Sequence, residues 1–98
     1  MSTPTSITIS HFHEIADLSD EQIREIIARV GRDDFAIAMK TADKRFEDRV
    51  QSSISEKEWN VLTEYREFLG PIRLSDVEKT QRHIVEKFRS EPERDRFV

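Results

Sequence analysis

Three observations predict an all-α fold, a compact bundle of about five to six short helices. The 98 residues contain only two Gly and three Pro, so few positions interrupt regular structure. Apolar residues recur at i, i+3, i+4 and i+7 rather than in alternation, which is the period of a helix with one buried face. Ser or Asp stands just before several of these runs, at the spacing of helix N-caps.

Residues 1–10 are rich in Ser and Thr with an early Pro, and predict a loosely ordered lead-in before a folded part beginning near His11 or Phe12. Ser19 and Gln22 have capping-box spacing, after which Ile23, Ile26, Ile27 and Val30 share one face until Gly31. Arg32 or Asp33 opens a short helix with Phe35, Ala38, Met39 and Ala42 inward, leaving Lys40 off the apolar stripe. Asp43 can cap a third helix that buries Phe46, Val50 and Ile54, with Lys44, Arg45, Glu47, Asp48 and Arg49 as a solvated exterior.

Ser55 and Glu58 cap a helix over 56–69 whose core side holds Trp59, Leu62, Tyr65 or Arg66, and Leu69. Its far side carries Lys57, Asn60 or Val61, and Glu64. Trp59 is read mainly as a core filler, because large aromatics dominate cores. Gly70 can end this helix in a left-handed conformation and Pro71 cannot continue it, while Ser75 with Glu78 has capping-box spacing for the next start. The last helix is then expected from Asp76 to about Arg89, with Val77, Ile84, Val85 and Phe88 inward and Pro92 as its limit. Three parts follow: a lead-in over 1–10, a helical domain over 11–91 and a charged tail over 92–98.

Composition excludes several function classes. A formal net charge of −4 argues against a protein that neutralises a phosphate backbone, so nucleic acid is not an expected partner. No stretch approaches the ~20 apolar residues of a membrane-spanning helix. The absence of Cys removes thiolate metal sites and Cys nucleophiles, and agrees with a reducing cytoplasm. There is no Gly-rich phosphate loop, no G-x-S-x-G and no clear nucleophile beside a base, so neither catalysis nor a cofactor is expected. His11, His13 and Glu14 form an H-x-H-E cluster, read as a partly exposed N-terminal group rather than a metal site, because nothing places His83 nearby.

Lys57 and Glu64, seven apart, stand on one outward helix face about two turns from each other. Lys57 falls in the first turn of its helix and Arg73 just before the next, where the macrodipole disfavours a cation by roughly 0.3–1 kcal/mol. On the residues alone these are solvated surface charges, with Glu56 and Glu58 offsetting Lys57.

Over residues 12–89 the chain resembles the last domain of the FliG family of flagellar motor switch proteins. The resemblance is carried in order by Phe12 with Ile15, by the run from Ser19 to Ile27, by Ala36 to Ala42, by Ile54-Ser55 and by Leu69 to Gln81. It implies contact with the cytoplasmic loop of a MotA-like stator through a ridge of charges, which maps onto Lys40, Lys57, Glu64 and Arg73 with the family's signs kept. Other rotor proteins are further implied partners, and the cytoplasmic face of the basal body the implied place.

Tyr65 stands where the family commonly has a second acidic residue, which thins the acidic part of the ridge. Trp59 replaces a usually small residue. Of the family's Met-Phe-x-Phe hinge only Phe12 survives in Ile9-Ser10-His11-Phe12, which favours a free-standing relative of the torque domain over an end fragment. A helical adaptor reusing the fold outside the motor is the alternative function.

Overall fold

The computed structural model describes residues 7–88. A 3-10 turn at Phe12–Asp17 leads into α1 (Asp20–Val30), α2 (Arg32–Ala38), a second 3-10 turn at Met39–Thr41, α3 (Lys44–Ser53), α4 (Glu56–Leu69) and α5 (Leu74–Phe88). The expected tail over 92–98 and the first six residues of the lead-in lie outside the described residues.

The helix starts form where local chemistry satisfies the first backbone N–H groups. Ser19 and Gln22 exchange reciprocal side-chain to backbone bonds of 3.1 Å, and Ser55 and Glu58 do so at 3.2 and 3.1 Å. The Asp43 carboxylate accepts from the Phe46 N–H at 2.9 Å. Gly31 ends α1 and opens α2 in a single residue, its N–H donating to the Ile27 carbonyl and its own carbonyl accepting from Phe35. Its φ of 98° is a backbone that side-chain-bearing residues rarely adopt.

The inward faces converge on one core. Phe35 is fully buried, and its ring lies 6.0 Å from Phe12 and 6.3 Å from Phe46, while Phe12 and Phe46 stack at 4.9 Å. Ile15, Ile23, Ile26, Val50, Leu62 and Ile84 are among the residues buried with them. Trp59 is half-buried and packs against the edge of this core without entering it.

Three sequence expectations are corrected. Ile9, assigned to the lead-in, is buried, and its N–H donates to the Phe88 carbonyl at 3.3 Å, so the core starts before Phe12. The third helix's charge run is only partly solvated: Arg49 spans α1 and α3, and Glu47 pairs with Arg66 of α4 at 2.7 Å. The helix after the joint begins at Leu74 rather than Asp76, and no Ser75–Glu78 capping box forms. There the Arg73 carbonyl already accepts from the N–H groups of Asp76 at 2.9 Å and Val77 at 3.1 Å. Ser75 thus sits inside the first turn, and a residue with helical backbone cannot fold its hydroxyl back as an N-cap needs.

Candidate partner-binding ridge

The joint between α4 and α5 is held from below by the C-terminal end of α2. Helix C-termini leave carbonyls without intrahelical donors, and side chains from α5 and α4 supply them here. Gln81 of α5 donates its amide to the Ala38 carbonyl at 2.8 Å and to the Thr41 hydroxyl at 2.9 Å. Arg66 of α4 reaches the Met39 carbonyl at 3.4 Å while bonded to Glu47, with both side chains largely shielded. In the opposite direction, the Lys40 ammonium donates to the Gly70 carbonyl.

Gly70 turns the chain with φ 67°, and its N–H donates to the Glu67 carbonyl at 3.1 Å. Pro71 then blocks continuation of α4, as its ring and missing N–H require. The expected helix stop at Gly70 and Pro71 is present, but with ψ −161° Gly70 is not in the left-handed helical conformation expected of it, and Ser75 and Glu78 are exposed helix residues that take no part in capping.

Lys57, Glu64 and Arg73 are exposed, and none of them forms an ion pair with another described residue. Lys57 occupies the second position of α4, between Glu56 and Glu58, and Glu64 lies about 10 Å further along the same face at 1.5 Å per residue. Arg73 immediately precedes α5, whose first turn holds Asp76. The joint brings Lys40 to the Gly70 end of α4, but as a half-buried brace and not as a free surface charge. Tyr65 is half-buried against the core and its ring lies 6.3 Å from that of Phe68.

Sequence reading passed over Phe68 and Leu74. They are 82% and 58% exposed, and are the large hydrophobics that stand out on the described surface. The available signal was the position of Phe68 four residues past Glu64, on the outward side of α4.

Residues 7–98 match the family model described as the FliG C-terminal domain. The chain belongs to the FliG C-terminal domain family. It is 34% identical over 74 residues to the flagellar motor switch protein FliG of Bacillus subtilis, covering 76% of this chain and 22% of that protein. It is 31% identical over 87 residues to FliG of Borreliella burgdorferi, covering 89% of this chain and 25% of that one. The chain thus spans about a quarter of the length of these curated relatives. Among solved structures, FliG residues 116–343 from H. pylori superpose with a TM-score of 0.74 at 29% identity, over 81% of this chain and 35% of that one. Full-length FliG from Aquifex aeolicus gives a TM-score of 0.73 at 32% identity, over 81% and 25%. The all-α bundle is therefore the FliG C-terminal-domain fold. Among the described residues no helix is long and apolar enough to cross a membrane.

Proposed function

We propose that this FliG C-terminal-like domain works as a flagellar motor switch element, contacting the cytoplasmic loop of a MotA-like stator through Lys57, Glu64 and Arg73. In this reading force is exchanged by electrostatic contact, at the cytoplasmic face of the basal body, with no cofactor and no catalytic step. Other rotor proteins would receive the force. The observation that carries the reading is the placing of Lys57 and Arg73: both are exposed cations at helix starts, where the fold gains nothing from positive charge. Two such cations flanking an exposed Glu64 on neighbouring helices are accounted for by a partner of alternating charge better than by stability.

Lys40 belongs to the same ridge by its sign, yet its bond to Gly70 makes it a support for the joint. Reversing it would mix folding with binding, so the test uses the other three. Lys57→Glu, Glu64→Lys and Arg73→Glu should each weaken binding of a stator-loop peptide at low salt, and the differences should shrink at high salt as screening shortens the reach of the charges. Melting temperatures should stay near that of the unsubstituted chain. Peptide binding indifferent to all three reversals would rule the electrostatic contact out.

A further inference from the structure

We propose that Phe68, with Leu74 across the joint, is an apolar anchor for the partner that the ridge engages, so that charge sets the register and a desolvated aromatic supplies the hold. This rests on the ridge reading above and names the missing chemistry of the same surface.

Phe68 is 82% exposed, so its ring contributes little to the core. Single exposed hydrophobics are ordinary on protein surfaces, and what distinguishes this one is its face. At 100° per residue, Phe68 lies within about 40° of both Glu64 and Lys57 around the α4 axis, four and eleven residues along. Leu74, 58% exposed, follows Arg73 directly on the far side of the turn. Tyr65, its ring 6.3 Å from Phe68, continues the apolar surface toward the core. A cation, an anion, an aromatic and a second cation therefore follow one another along α4 and over the joint. Aromatics ringed by polar groups are the usual energetic centre of a protein interface, with rim charges governing orientation and approach.

Charge complementarity defines the occupant: a helical segment of another protein with acidic, basic, apolar and acidic side chains in matching order. The stretch from Lys57 to Phe68 spans about 16 Å, three turns of such a helix. A second copy of this chain fits less well. Antiparallel pairing that sets Lys57 against Glu64 in both directions carries Phe68 beyond the start of the second α4 at Glu56, where no apolar residue of that helix meets it.

The experiment measures binding of a fluorescent synthetic peptide of the stator cytoplasmic loop to the full chain, by anisotropy at low and high salt. Phe68→Ala is expected to weaken binding about tenfold at both salts with an unchanged melting temperature, and Phe68→Leu to recover most of the loss. Lys57→Glu should weaken it at low salt alone. Phe68→Ala binding as tightly as the unsubstituted chain, with Lys57→Glu still impaired, would overturn the anchor and leave the ridge standing. Failure of the unsubstituted chain to bind would overturn both. A dimer by sedimentation that Phe68→Ala dissociates would assign the patch to a second copy and overturn the proposal.

Discussion

The Lys40 ammonium donates to the carbonyl oxygen of Gly70, 30 residues away in sequence, and so places a cation at the C-terminal end of α4. Two needs are met together: a carbonyl at a helix end gains a donor, and the negative end of the α4 dipole gains a positive charge. The turn that carries Pro71 and Arg73 is thereby tied to the end of α2.

Replacing Lys40 by Met should therefore cost about 1–2 kcal/mol, the scale of a charged hydrogen bond at a half-buried place. Lys57→Met, on an exposed face, should stay within about 0.5 kcal/mol. Urea unfolding of the two variants compares them directly, and equal midpoints would mean that the tether does not form in solution.

The two serines at helix starts should behave differently. Ser55→Ala removes a formed capping box and should cost about 1 kcal/mol. Ser75→Ala should change stability by less than about 0.5 kcal/mol, because Ser75 already lies inside the first turn of α5. Thermal melts of the pair decide, and a large loss at Ser75 would restore the capping box that its spacing suggests.

Gly70→Ala should destabilise by about 1 kcal/mol through its backbone alone. A Cβ at Gly70 would meet nothing within 4 Å, so no steric clash adds to the cost of φ 67°. Gly70→Asn should lose about as much, since φ 67° with ψ −161° lies outside the left-handed helical region that Asn tolerates; a clear recovery with Asn in denaturant melts would mean that Gly70 takes the left-handed helical conformation in solution.

Acid should weaken the α1–α3 contact only below the ordinary aspartate range. Asp20 accepts from Arg49 at 2.6 Å and from the buried Ser53 hydroxyl at 3.2 Å, and these bonds, the Arg49 one foremost, hold its carboxyl below the ordinary aspartate value of 3.8. A lowered folded-state pKa means stability that is present above the ordinary value and lost as pH falls below about 3.8 toward the folded one. Asp20→Asn should be less stable than the unsubstituted chain at neutral pH, and the gap should close as both are acidified. A gap that persisted unchanged through that range in circular dichroism melts would show that Asp20 does not titrate with folding.

Truncating Phe35 to Ala should cost roughly 3–5 kcal/mol, because Phe12 and Phe46 pack around it and little can move in to fill the space. Loss of the cooperative thermal transition is the expected readout, whereas a fully folded variant at ambient temperature with an unchanged midpoint would contradict the assigned core.

The sequence by itself determined the helices and nearly all of their faces, because their causes act over three or four residues. Ser19, Asp43 and Ser55 start helices through bonds that close within one turn, and the spacing of Ile23 and Ile26, or Phe46 and Val50, marks the side that must leave water. The exposure of Lys57, Glu64 and Arg73 was readable for the same reason, as was the stop at Gly70 and Pro71. Only the tertiary structure decided the partners of side chains whose causes are distant in the chain. Lys40 at Gly70, Arg49 at Asp20 and at the Leu18 carbonyl, Gln81 at Ala38, and Arg66 at Glu47 depend on which helix ends the packing brings together. The same applies to Ser75, whose spacing promised a cap until the turn after Pro71 began the helix earlier. It applies also to Phe68: an aromatic one turn past Glu64 becomes a surface feature only when the packing of α4 turns Leu62 inward and leaves the opposite face to water.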